Sequence, residues 1–463
     1  MKFYIKERIK SVLYNPKVIS MVRKSLRHFP SIDEELRVWN YLIKKRLAGN
    51  STVPPSSEDL SIALVANPGE NKLLIDISEL VLRDVHTGIQ RVIHSILQEL
   101  LRHPPSGYIV EPVYTDAAGQ LRYARQFVGT IMGEEPTASE EPLVSAYSGD
   151  VFFCPDLHLT YPFAMLSTMK QRGLRIVFTV YDLIGFTHKA LLPKAHNIAF
   201  TDWFAGVMAV ADAIVCDSRA VADEVKAWLE EHPGQRSHPL PIGYFHLGAD
   251  MEASKPTQGQ ESEGEKVLAA CASRPTLLMV GTLEPRKGHA QALAAAEILW
   301  KMGVDLNLVI VGKEGWRTQR LAHQLRHHPE RDRRLFWLEG ASDAFLLQLY
   351  GKASALLAAS VAEGFGLPLI EAARQGLPII ARDIPVFREV AGEHAFYFQS
   401  ENPEALSEAI RHWLALQVEG NAPSPTGLPW LTWAQSTQQL LQVILQENWH
   451  TVYQPTVQKS GAV

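Results

Sequence analysis

Between Thr276 and Ala381 the chain alternates five short apolar runs with longer helical stretches, at about the spacing of successive βαβ units. The runs are Thr276–Val280, Leu306–Val311, Leu335–Leu338, Ala355–Ala358 and Pro378–Ala381. A looser alternation precedes them, with strands expected at Lys72–Ile77, Val151–Cys154, Ile176–Val180 and Ala213–Cys216. Helices are expected over 89–101, where Ile89, Val92, Ile93, Ile96, Leu97 and Leu100 recur at helical spacing, and over 219–229. Strands alternating with helices predict open α/β domains. At 463 residues the chain is too long for one ordinary core, so two such domains are expected.

The division predicted is a basic helical extension over 1–70, a first α/β domain over 71–250, a polar linker over 251–273, a second α/β domain over 274–425, and a terminal helix and tail over 426–463. Residues 120–145 interrupt the first alternation and read as a surface excursion. The last periodic helix is expected at Leu431–Gln446, and the tail beyond Pro455 reads as frayed. Two α/β domains facing one another make a cleft, with ligands at the carboxyl ends of the strands.

Composition narrows the function. The net charge of −5 argues against general nucleic-acid binding. Residues 1–46 carry twelve Lys/Arg against four acids, an excess of eight that leaves −13 for the remainder. Ile5, Ile9, Val12 and Leu13 line one face of a short helix whose other face is basic. Such a segment can lie on an anionic leaflet or pack on the protein's own first domain, and both readings stay open. No run of 18 apolar residues occurs, and the amino terminus lacks the apolar stretch of a secretion signal. Three scattered cysteines, Cys154, Cys216 and Cys271, make no disulfide framework or zinc spacing, which suits a reducing cytoplasm.

Four segments fall where the second domain's strands should end. The first holds Arg286 and Lys287, followed by Gly288. The pair can clamp a diphosphate, Arg by its planar fork and Lys as a point charge. Read alone it is better taken as a solvated basic pair. The second is Gly312-Lys313-Glu314-Gly315-Trp316, whose glycines permit close backbone approach. Trp316 reads as a pocket wall or as core. The third is Gly340. The fourth is Glu363-Gly-Phe-Gly-Leu-Pro-Leu-Ile-Glu371, two carboxylates either side of a glycine-rich turn. Pro368 is placed to open a helix, with Glu371 in its first turn, where the helix dipole favours a carboxylate. An ionised carboxylate accepts two hydrogen bonds, which matches the paired hydroxyls of a ribose. Gly364 and Gly366 leave no side chain between the backbone N–H groups and an anion.

These segments, with LEGASDAFLLQLYGKASALL and PVFREVAG, resemble the donor domain of glycosyltransferase family 4, which has the GT-B fold. His86–Val92, Ala211–Val225 and the Gly248/Asp250 turn resemble the family's first domain, and Trp433 its terminal helix crossing back. The resemblance implies two Rossmann-like domains and metal-independent hexose transfer from a nucleotide-sugar, with retention of configuration. It implies that Arg286 and Lys287 hold the diphosphate, bordered by Gly312 and Lys313. Glu371 would bind the ribose and Glu363 would sit by the donor sugar, in a pocket lined by Gly364, Phe365, Gly366 and Leu367. Gly88 would let phosphate and acceptor approach, assisted by Arg91. The catalytic set implied is Glu363, Lys287 and Asp182. The phrasing GTLEPRKG and GKEGW is closer to mannosyl members that use GDP-sugars than to UDP-sugar users, and no further cofactor or metal is expected.

Two positions depart from the family pattern. Thr282 stands where many relatives have Arg, and Tyr181 where His often precedes the Asp. Asp182 is the substitute in the first domain, and it reads equally as a residue capping a turn. The acceptor implied is a surface polysaccharide such as lipopolysaccharide, or a lipid-linked glycan, on the cytoplasmic face of a membrane. The rival readings are a nucleotide-sugar epimerase on the same fold and a non-catalytic scaffold of a polysaccharide complex.

Overall fold

The structure is a computed structural model, and it describes residues 69–82, 87–131, 140–250, 264–455. The basic extension, residues 83–86, much of the expected linker and the tail beyond Pro455 lie outside the described residues.

The first domain contributes β1 (Asn71–Asp76), β2 (Tyr108–Thr115), β3 (Leu121–Tyr123), β4 (Val151–Cys154), β5 (Arg175–Val180), β6 (Ala213–Cys216) and β7 (Leu240–Tyr244). The second contributes β8 (Thr276–Val280), β9 (Asn307–Val311), β10 (Leu335–Leu338), β11 (Ala355–Ala358), β12 (Ile379–Arg382) and β13 (Ala395–Phe398). A last strand, β14 (Thr451–Tyr453), returns to the first sheet. The orders are β14-β7-β6-β5-β4-β1-β2-β3 and β10-β9-β8-β11-β12-β13. The second sheet is parallel throughout, while β3 and β14 pair antiparallel at the two edges of the first. In both sheets the order turns back after the first strand, which leaves a crevice at the carboxyl ends for a ligand. These are two Rossmann-like α/β domains, as the alternation predicts.

Helices cover both faces, so the strands are apolar on both sides rather than alternating. Leu73, Leu74 and Ile75 are all fully buried, and so are Leu308, Val309 and Ile310. Two apolar clusters lie on the outer faces of the sheets, and a third runs continuously through both domains. It joins the helix Gly88–Arg102 to the helix Trp433–Ile444, which crosses back to pack on it. The crossing is pinned at Asp250, whose carboxylate accepts the Trp433 N–H at 2.7 Å. A Cβ on Gly248 would lie 2.7 Å from the Trp433 ring, so the indole needs glycine there.

Two expectations change. The carboxyl end of the expected linker is a helix, Gly264–Ser273. Val267 and Cys271, four apart, give it a buried face that polar composition alone hid. The stretch 120–145 contains β3 and the helix Arg125–Ile131, and β3 extends the first sheet. Among the described residues no helix is long and apolar enough to cross a membrane.

Candidate active site

The loops after β8 and β9 form one unit. Leu283 N–H donates to the Lys313 carbonyl at 2.8 Å, and Gly315 N–H to the Leu283 carbonyl at 3.0 Å. A Cβ on Gly312 would lie 2.0 Å from the Gly281 carbonyl oxygen, so only glycine permits this approach. The loop after β8 then presents a turn, Pro285–Lys287, which ends at Gly288 with φ of 73°. Val361 N–H donates to the Arg286 carbonyl at 2.8 Å, which ties this turn to the loop after β11.

That tie brings Arg286, Lys287 and Glu363 together. Arg286 Nη1 donates to Glu363 Oε2 at 2.7 Å, and Nε to Glu284 at 2.8 Å. Lys287 Nζ and the Ser360 hydroxyl (2.6 Å) both donate to Glu363 Oε1. Burial works to raise the Glu363 carboxyl, but Arg286 and Lys287 outweigh it and hold it at about 2. Burial also disfavours the Arg286 charge, yet Glu363, Glu284 and Asp182 hold the guanidinium above its ordinary value. Glu363 and Lys287 line a cavity with Ser360, His289, Gly366 and Pro368, over a floor of apolar side chains. His289 is buried, and its Nδ1 has no hydrogen-bond partner in the structure. Burial and the adjacent Lys287 push its imidazole down to about 3, so it is neutral.

Glu371 is placed differently from expectation. The helix runs Leu367–Arg374, with Gly366 (φ 97°) as N-cap, so Glu371 lies in the second turn and no acid occupies the first. Its carboxylate is 3% exposed. Arg91, from the first domain, donates to Oε1, and the Tyr350 hydroxyl donates to Oε2 at 2.6 Å. A buried ion pair and a phenol, rather than the helix dipole, hold this carboxylate. A ribose reaching Glu371 has to share or displace these donors.

The remaining expected residues divide. Asp182 accepts the Ile184 N–H at 3.0 Å, the turn-capping role, and burial raises its carboxyl while Arg286 opposes this. Gly88 starts its helix in open space, after the capping box of Thr87 and Gln90. Phe365 is buried between the domains, 5.5 Å from the His246 ring, so its side chain faces the core. Leu367 opens the helix on the cavity's Gly366–Pro368 edge. Lys313 is exposed, as is Thr282. Trp316 stacks across the cleft on His196 at 6.0 Å. Ser360, His289, Tyr350 and Glu284 were not anticipated. Ser360 precedes Glu363 by three residues, a turn-like spacing that could have flagged it.

Two outcomes are expected. Arg91→Ala leaves a buried carboxylate without its cation and should lower the unfolding free energy by about 3 kcal/mol in a denaturant titration; an unchanged midpoint would show that the pair contributes nothing. His289 resists protonation only when folded, so its penalty is absent above about pH 6.5 and grows toward about pH 3. The stabilisation from Glu363 changes in the same direction but in a lower window: present above the ordinary carboxylate range, it is lost as pH falls from there toward about 2. Between pH 6.5 and 5, then, His289→Asn should reduce the loss of stability by up to about 1.4 kcal/mol per pH unit. Parallel curves for the two proteins would contradict this.

Comparison with known proteins adds a family to this geometry. Residues 262–424 match the family described as "Glycosyl transferases group 1". The chain is 44% identical over 376 residues to the serotype-specific mannosyltransferase WbdA of Escherichia coli, covering 80% of this chain and 44% of WbdA. It thus spans a little under half the length of that relative. Sucrose-phosphate synthase from Thermosynechococcus elongatus aligns with a TM-score of 0.58 at 15% identity, over 82% of this chain and 99% of that one. The catalytic domain of starch synthase IV from Arabidopsis thaliana, bound to ADP and acarbose, aligns at 0.55 and 12% identity, over 82% and 99%. At these identities the structures speak for the fold alone. The donor-side motifs lie inside the matched region, so residues 262–424 carry a group 1 glycosyl transferase domain, and both sheets take the GT-B arrangement.

Proposed function

We propose that this chain transfers mannose from a nucleotide-sugar, GDP-mannose, to a glycan acceptor, with retention of configuration. The observation that carries the reading is the convergence of Arg286, Lys287 and Ser360 on Glu363, with Lys287, Ser360 and Glu363 lining a cavity beside the Gly366–Leu367 helix N-terminus. As the glycosidic bond breaks, negative charge builds on the leaving diphosphate. Fixed cations and a helix N-terminus at that point stabilise the transition state more than the ground state. Arg286 supplies the charge that Thr282 lacks. Glu363 keeps both cations aligned until the diphosphate arrives to share them. The acceptor hydroxyl attacks from the leaving group's own face, and no protein nucleophile is assigned. Glu371 takes the ribose, and Tyr350 orients its carboxylate.

The name of WbdA supports mannose as the sugar; the acceptor proposed with it is a surface polysaccharide built at the cytoplasmic face of a membrane. The basic extension would serve such a peripheral site. Lys287→Ala should leave the fold intact and lower transfer from GDP-mannose to a mannose-terminated oligosaccharide by at least about 100-fold. The assay is release of GDP, run with and without EDTA. Normal turnover by the folded variant would remove Lys287 from the mechanism, and loss of turnover in EDTA would overturn the metal-free reading.

A further inference from the structure

Gly364 belongs to the turn of the second domain, yet its tightest neighbours are in the first. A Cβ built there would lie 2.0 Å from the Tyr181 carbonyl oxygen and 3.0 Å from Asp217 Oδ2. Glycine at this position therefore serves domain contact, in addition to any approach by an anion. The Gly364 carbonyl accepts a hydrogen bond from the Ser218 hydroxyl at 2.6 Å. Ser218 is fully buried and N-caps the helix Arg219–Glu231, its Oγ accepting the Val221 N–H at 3.2 Å.

A second contact meets the same helix start. Glu389, on the helix Pro385–Ala391, accepts the N–H groups of Arg219 (2.8 Å) and Ala220 (2.7 Å). Its Oε1 also lies 2.7 Å from His246 Nε2. Free N–H groups and the dipole make a helix start a natural seat for a carboxylate. The start of this first-domain helix thus grips the second domain at two points, one of them next in sequence to Glu363.

We infer that Ser218 is a positioning residue for transfer, holding the Glu363–Leu367 turn in register with the donor sugar from the opposite domain. This rests on the glycosyltransfer reading above. Displacing a reacting geometry by about 1 Å can cost about 100-fold in rate. The diphosphate and ribose contacts assigned to Arg286, Lys287 and Glu371 all come from the second domain. Binding of the nucleotide should therefore survive loss of Ser218, while transfer should not.

The test uses the full chain, GDP titration by calorimetry, and kcat and KM with GDP-mannose and a mannose-terminated oligosaccharide. Ser218→Ala should lower kcat by about tenfold or more, with GDP affinity within about twofold. Ser218→Thr keeps the hydroxyl and should recover most of kcat. Gly364→Ala, which forces the Tyr181 carbonyl away, should lower kcat further. Thermal unfolding confirms that each variant is folded. Unchanged kcat in Ser218→Ala, or GDP affinity falling in step with kcat, overturns the inference while leaving the glycosyltransfer reading in place. A wild-type chain that neither binds GDP nor transfers overturns both.

Discussion

The site depends on one buried carboxylate, Glu363, and on the cations that make its burial tolerable. Removing an ionised carboxylate from water without a partner costs several kcal/mol, which protonation would normally avoid. Here Arg286 and Lys287 win against burial, and the group stays charged. The arrangement ties two loops together, because Arg286 also bonds Glu284 in its own loop and the Ala362 carbonyl in the loop of Glu363. It also stores two aligned cations in a dry site, where electrostatic interactions with a phosphate are stronger than in water.

The seam between the domains follows from the same economy of charge. Glu371 is paired from the first domain with Arg91, and Glu389 accepts hydrogen bonds from backbone N–H groups of a first-domain helix and lies against His246 Nε2. The continuous apolar cluster and the helix Trp433–Ile444 supply non-directional cohesion. The polar contacts supply register. In a two-domain cleft of this kind domain position and nucleotide binding meet at Glu371, the carboxylate assigned to the ribose, which also bonds Arg91 of the first domain.

Several strands were legible as apolar runs bounded by turn residues, Val151–Cys154, Thr276–Val280 and Ala355–Ala358 coinciding with β4, β8 and β11, whereas β13, also an apolar run, was not anticipated. Strands carrying Pro or Gly were not, as in β2 with Pro112 and β7 with Pro241 and Gly243. The candidate cluster was legible in part, because Arg286, Lys287 and Glu363 sit in loops that end adjacent strands. What could not be read were pairings between the halves of the chain. Arg91 meets Glu371 across 280 positions, and no local pattern signals it. Glu371 illustrates the cost: the motif placed it on a helix, but its partners, and hence its electrostatics, come from Tyr350 and the other domain.

The central claim is that Arg286, Lys287 and the Gly366–Leu367 helix start hold a leaving diphosphate. A crystal structure of the full chain with GDP tests it most directly. The account predicts the β-phosphate between Lys287 and the backbone N–H groups at that helix start, with the ribose hydroxyls on Glu371 and Arg91 turned away from Oε1. A nucleotide bound elsewhere, with the Arg286–Lys287–Glu363 cluster undisturbed, would contradict it.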